Sequence, residues 1–314
     1  MKTTEFTIIG LGGVGGYFGF KLAQKYATDH AANITFIARE KTYEIVKENG
    51  LTLISSENEG SIVRPYQIFK DLAESGHTDV FVICVKEYDL ENICHQLKDK
   101  IKNDTVILPL MNGVDIYERI RKIITNGIVL PSCVYVASHI KEKGVVEHKG
   151  NPGKIIAGRD PENKQFDSQP IINLFKEASI DIEYKEDSFP AIWSKYFFIA
   201  SFGLVSARYN KSIGQVNEEP DLHRRALLIM QEILAIAIKK EISLPENIIE
   251  LTFQKAASFP FQTPTSLQLD VQSGKEHTEL ELFAGAIIAY GENLSIPVSE
   301  TTSIYNEIKK GILV

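Results

Sequence analysis

The chain has 314 residues, enough for two domains at roughly 150 residues each. Hydrophobic residues make up 44% and charged residues 24%, which excludes an intrinsically disordered chain, and a net charge of −7 speaks against nonspecific binding to nucleic acid or to an anionic membrane. Cys84, Cys94 and Cys133 are too few and too scattered for a disulfide framework or a CxxC metal knuckle, so a reducing, cytoplasmic compartment is expected.

Residues 6–9 (FTII) form a short apolar run suited to a strand buried on both faces of a parallel sheet, and no secretory leader is expected ahead of it. Next comes Gly10-Leu11-Gly12-Gly13-Val14-Gly15, a GxGxxG match, and Val14, Phe18 and Leu22 then recur at helical spacing. Residues 33–38 (NITFIA) supply a second strand. Glycines here serve a tight turn, close approach to a pyrophosphate and close packing of helix on strand, with helix N-terminal amides facing the phosphates. A GxGxxG alone is weak, but between a strand and a helix it points to a dinucleotide site.

The end of the second strand selects the cofactor. NAD sites carry Asp or Glu there, whereas this chain has Arg39, whose guanidinium suits a 2′-phosphate and so NADP(H). The alternatives are an exposed loop cation at Arg39, or Glu40 taking the ribose position and reversing the preference. Residues 80–85 (VFVICV) and 105–108 (TVIL) read as further strands, followed by Lys86 and by Met111-Asn112-Gly113 where ligands gather in such sheets. Asn112-Gly113 is equally a turn signal.

Residues 128–160 read as strands and turns completing the first domain, residues 181–184 as its last strand, and Glu186-Asp187-Ser188 as the junction. From Phe189 the pattern is helical, with Leu222, Ala226, Met230, Ile233, Leu234 and Ala237 on one stripe. A Pro/Thr/Ser-rich loop is expected over residues 259–266. The longest apolar stretch, residues 196–205, is about half of the roughly 20 residues a membrane-spanning helix needs.

Lys195 is the only charge between Asp187 and Arg208. It either snorkels its head to water or faces a site where it can hydrogen-bond and protonate an oxygen. Thr278-Glu279-Leu280-Glu281 reads as a capping box made by Thr278 and Glu281, with Glu279 in the first turn, either solvated or functional. The chain has no HExxH, no GxSxG nucleophile elbow and no GxxxxGK[ST] loop, which removes support from metallohydrolase, serine hydrolase and ATPase readings.

Taken together, Ile8-Ile9-Gly10-Leu11-Gly12-Gly13-Val14-Gly15, Ile37-Ala38-Arg39, Val85-Lys86, Asn112-Gly113, Trp193-Ser194-Lys195, and Thr278-Glu279 with Gly285 resemble ketopantoate reductase (2-dehydropantoate 2-reductase) along nearly the whole chain. The resemblance implies an α/β fold in which a Rossmann-type doubly wound NADPH-binding domain is followed by an all-α domain, a 6-phosphogluconate-dehydrogenase-like arrangement, with ketopantoate in the cleft. Expected bounds are residues 1–187 and 188–314. It further implies Lys195 as proton donor, Glu279 as a hydrogen-bond partner of the reacting oxygen, Asn112 at substrate and nicotinamide, Lys86 at the cofactor, and Ser266, ahead of Asp270, at the substrate carboxylate. The departures are Ile199, Gly203 and Ile213, where the family carries asparagines, and one extra residue near Lys275-Glu276-His277. They point to a more apolar oxo acid or to a different hold on the substrate. The expected activity is NADPH-dependent reduction of ketopantoate, with another small oxo acid or a non-catalytic NADPH-binding protein as alternatives. The expected partner is this small molecule alone, with neither nucleic acid nor membrane, and a homodimer is the candidate assembly.

Overall fold

A computed structural model describes residues 3–56, 58–274 and 277–312. Two compact units emerge: the described residues up to Met111 with Ile116–Ser188, and Asn112–Asp115 with the described residues from Phe189 onward.

The first unit runs β1 (Thr4–Ile9), α1 (Gly13–Tyr26), β2 (Ala32–Ile37), α2 (Glu40–Asn49), β3 (Leu51–Ser55), β4 (Asn58–Val63), β5 (Gln67–Phe69), β6 (Val80–Ile83) and α3 (Leu90–Leu97). It continues through β7 (Val106–Pro109), α4 (Ile116–Arg121), β8 (Ile128–Val129), β9 (Ser132–Tyr135), β10 (Ser138–Glu142), β11 (Val145–His148), β12 (Lys154–Gly158), α5 (Gln169–Glu177) and β13 (Asp181–Lys185). Six strands form a sheet in the order β5-β2-β1-β6-β7-β8, every pair parallel. The chain leaves the middle of this sheet in opposite directions from β1, and the crevice beyond the carboxyl ends of β1 and β6 is where such sheets hold ligands.

The apolar runs become these strands because both faces are covered: every residue of β6 and β7 is buried. α1 lies close to its neighbours because its inner face is glycine. A Cβ on Gly19 would come within 3.1 Å of the Phe36 ring, and one on Gly16 would overlap Val146 of β11.

The strands of residues 128–160 do not simply extend this sheet. β10-β11-β3-β4 form a four-stranded sheet and β13-β12-β9 a three-stranded one. Strands β3, β4 and β5 were not anticipated from the residue pattern.

The second unit is helical: α6 (Phe189–Tyr209), α7 (Ile213–Glu218), α8 (Pro220–Lys239), α9 (Ile248–Ala257), α10 (Ser266–Gln272), a π-helical segment Glu281–Gly285 leading into α11 (Ala286–Leu294), and α12 (Ser299–Ile312). α6 is the central helix, packed by α8, α9, α10 and α12. The apolar stripe of α8 is buried at Leu222, Ala226, Met230, Ile233 and Ala237, while Leu234 is half-buried. Among the described residues, no helix is long and apolar enough to cross a membrane.

Candidate active site

The glycine turn after β1 is built from approaches that side chains would prevent. Gly10 adopts φ +91°, and a Cβ there would stand 2.9 Å from the Cys84 carbonyl oxygen. A Cβ on Gly15 would overlap the Gly10 carbonyl oxygen, and one on Gly13 the Ser138 carbonyl oxygen. Gly12 is different: nothing lies within 4 Å of where its Cβ would be. Gly12 is also the N-cap of α1 and provides no side-chain cap for the first-turn amides, which have no intrahelical acceptors. Gly10, Leu11 and Gly12 line a cavity of about 570 Å³ with Arg39 and Lys86. Val14 follows in the first turn of α1 and is half-buried against the core of the first unit. A glycine cradle, an uncapped helix N-terminus and cations at the rim fit a dinucleotide diphosphate.

Arg39 lies two residues beyond the end of β2, as the N-cap of α2, and its guanidinium is engaged. It donates to both carboxylate oxygens of Asp89, at 3.2 and 2.7 Å, while remaining 69% exposed. Glu40 follows at φ +50°, a region non-glycine residues seldom occupy. Lys86 is exposed and caps a short 3₁₀ turn, Glu87–Asp89. That turn is anchored by Glu87, which is buried and ion-paired with Arg119 at 2.7 Å.

In the second unit, Asn112 and Lys195 meet. The Lys195 ammonium donates to Asn112 Oδ1 at 2.7 Å, and Lys195 is only 8% exposed, so its head does not snorkel to water. Gly113 follows at φ +118°, and the chain bends at Val114 and Asp115 before α4. Lys195 is set in α6 by its neighbours Trp193 and Tyr196, each 1% exposed. The Tyr196 hydroxyl lies 2.9 Å from the carbonyl oxygens of Leu282 and Phe283 in the π-helical segment. Burial, and then the Asp115 charge, push the Tyr196 phenol well above its ordinary value, so it stays neutral.

Glu279 is buried, 6% exposed, two residues before the π-helical segment, and its carbonyl accepts from the Phe283 amide at 3.1 Å. The capping box expected of Thr278 and Glu281 is not formed. Helical geometry begins at Leu280 without a side-chain cap, and the Glu281 carboxylate instead accepts from Tyr305 at 2.6 Å and pairs with Lys309 at 3.2 Å. Glu279 thus precedes the first turn rather than sitting in it. Ser266 is exposed at the start of α10, capped by Thr265, and Asp270 is buried on the same helix. Lys275 and Glu276, where the extra residue was expected, lie outside the described residues. Asp89, Tyr196 and the π-helical segment carry no motif and were missed. Asp89 was accessible only through its spacing of three from Lys86.

The sequence model described as "Ketopantoate reductase PanE/ApbA" matches residues 6–162, and its C-terminal counterpart matches residues 187–311. An uncharacterized oxidoreductase, YkpB, of Bacillus subtilis (strain 168) is 26% identical, covering 95% of this chain and 96% of its own. A 2-dehydropantoate 2-reductase of Nostoc sp. is 23% identical over 98% of this chain and 95% of its own. The crystal structure of a PanE/ApbA family ketopantoate reductase from Ralstonia eutropha JMP134 superposes with a TM-score of 0.87 at 22% identity, covering 98% of each chain. A D-mandelate dehydrogenase solved with NADH and anilino(oxo)acetate shares the fold at a TM-score of 0.85 and 16% identity, over 99% of this chain and 100% of its own. With its glycine turn, its buried lysine and both matched segments, this chain belongs to the ketopantoate reductase PanE/ApbA family of oxidoreductases.

Proposed function

We propose that this chain reduces a small 2-oxo acid with NADPH, ketopantoate (2-dehydropantoate) first, giving pantoate for pantothenate and coenzyme A synthesis in the cytoplasm. Residues 1–187 act as the NADP-binding domain and residues 188–314 as the helical substrate domain, with Asn112 contributed to the substrate's surroundings. The observation that carries this reading is the buried Lys195 ammonium on Asn112 Oδ1 at 2.7 Å, a charge kept inside an apolar helix at a cost that folding alone does not require.

When bound, NADPH would supply hydride chemistry for reduction of the C2 carbonyl. Lys195 hydrogen-bonds the carbonyl oxygen, stabilises the negative charge that grows there, and gives up one proton to form the alcohol. The neutral amine then regains its proton from water. Asn112 fixes the direction of the ammonium, Glu279 takes a hydrogen bond from the hydroxyl formed, and Ser266 donates to the substrate carboxylate. Gly10 to Gly15 and the start of α1 would hold the diphosphate of NADPH, with Lys86 and Arg39 at the cavity rim.

A second reading has its own support. Ile199 and Gly203 follow Lys195 at helical spacing on α6, and the nearest atom to a Cβ on Gly203 would be Leu267 Cβ at 3.8 Å. That strip offers no side-chain hydrogen bond to a substrate hydroxyl, which favours an oxo acid with an apolar substituent.

The test is NADPH consumption by the purified chain with ketopantoate, beside NADH and a panel of 2-oxo acids. Fast turnover of ketopantoate supports the first reading. Silence there with turnover of a bulkier, more apolar acid selects the second. Silence throughout with NADPH bound replaces both with a non-catalytic NADPH-binding protein.

A further inference from the structure

We propose that Asp89 sets the dinucleotide preference of the cofactor cavity by competing with the 2′-phosphate of NADPH for Arg39, so that this chain accepts NADH alongside NADPH. The inference rests on reading the first unit as an NAD(P)H site.

Arg39 is the cation that would meet a 2′-phosphate, and its fork already holds Asp89 through two bonds of 3.2 and 2.7 Å. A guanidinium binds carboxylate and phosphate in the same bidentate geometry, so one anion must yield before the other is held that way. Asp89 is poorly placed to yield. Its side chain is 19% exposed, it closes the turn Glu87–Asp89, and that turn is tied to α4 by the 2.7 Å pair of Glu87 with Arg119. Nor is there much spare positive charge nearby. The cavity is lined by Lys70, Lys86 and Lys143 besides Arg39, but Lys70 is paired with Glu44 at 2.5 Å, and Glu40 and Asp71 add carboxylates to that of Asp89. A 2′-phosphate adds about −1.5 to −2 charges to this nearly balanced rim. The ribose of NADH adds none, and its 2′-hydroxyl can donate to a carboxylate that still has lone pairs to offer.

The experiment is direct titration of the full chain with NADH and with NADPH, following nicotinamide fluorescence, for wild type, Asp89→Asn, Arg39→Ala and the double variant. In the wild type both dinucleotides bind. Asp89→Asn shifts the ratio of the two Kd values about three- to five-fold toward NADPH, the size of a partly exposed charge pair, and the shift disappears when Arg39 is already Ala. An unchanged ratio in Asp89→Asn, or a shift that persists without Arg39, overturns the role of Asp89 while both cofactors still bind. Binding of NADPH without NADH by the wild type overturns this inference alone, and binding of neither overturns the cofactor reading and this inference with it.

Discussion

At the scale of single residues, the proposed chemistry turns on one ammonium. Lys195 stands on a helix, α6, most of whose residues are buried, and a charge so placed is tolerated when it is hydrogen-bonded. Lys195→Met keeps the stem and removes the proposed proton donor, so kcat is expected to fall about 10²- to 10⁴-fold with dinucleotide affinity retained. Steady-state kinetics beside nicotinamide fluorescence separate the two, and equal losses of both would remove Lys195 from the proton transfer. Asn112→Ala deletes a hydrogen bond to a charged group, worth about 1.5–3 kcal/mol, and is expected to lower kcat/KM roughly ten- to hundred-fold while Lys195 remains in place. The isolation of Lys195 in an apolar run is visible in the sequence. Its partner is not, because Asn112 lies 83 positions earlier and only the path of the chain brings the two together. Asp89 is hidden for the same reason: Arg39 is 50 positions away.

At the scale of elements, the glycine turn and the start of α1 form one device, in which two glycines have separable duties. Gly15 has no room for a methyl group beside the Gly10 carbonyl, whereas Gly12 has open space toward the cavity. Gly15→Ala is therefore expected to cost about 2 kcal/mol, or roughly 4–8 °C in Tm. Gly12→Ala is expected to leave Tm nearly unchanged and to weaken dinucleotide binding, since its methyl group would occupy the approach of the diphosphate. Thermal melts paired with NADPH titrations decide this, and a Gly12→Ala protein that binds as tightly as wild type would place the diphosphate elsewhere. This turn was legible because its constraint is local. The helix after Glu279 was not: Thr278 and Glu281 have capping-box spacing, but Tyr305 and Lys309 on α12 take the Glu281 carboxylate. Long-range partners overrode a local pattern, and the π-helical turn that leaves two carbonyls to Tyr196 has no residue signature of its own.

At the scale of the whole molecule, the strands that announce themselves are those most buried on both faces, and β1, β2, β6 and β7 at the centre of the six-stranded parallel sheet are these. The strands that stayed hidden are half-buried and short: β3 alternates Leu51 and Leu53 inward with Thr52 between them, and β5 has three residues. Such segments owe their form to pairing, β3 with both β4 and β11, more than to their own residues. Each unit also contains a buried or partly buried ion network that sets its acid response. In the first, Asp160 is fully buried against Arg121; burial pushes its carboxyl up, but hydrogen bonds from the Val129 amide, Asn163, Tyr117 and the Glu162 amide outweigh it and hold the group below the ordinary range. In the second, Arg225 of α8 bonds Glu307 and Glu300 of α12, and its hydrogen bond above all holds Glu307 down to about 2. A carboxylate depressed in the folded state stabilises it fully above its unfolded value, here 4.5 for Glu307, and that contribution is lost as pH falls toward the folded value. Tm should thus be level above about pH 5 and decline progressively below it. Glu307→Gln is expected to start from a lower Tm at pH 7 and to decline less steeply, whereas Asp160→Ala, which strips a buried arginine of its carboxylate, should cost about 3–5 kcal/mol at neutral pH. Melts at pH 7, 5, 4 and 3 provide the comparison. If Glu307→Gln keeps the wild-type slope, the acid response belongs to other carboxylates, and the bond from α8 to α12 stabilises the fold by geometry rather than by charge.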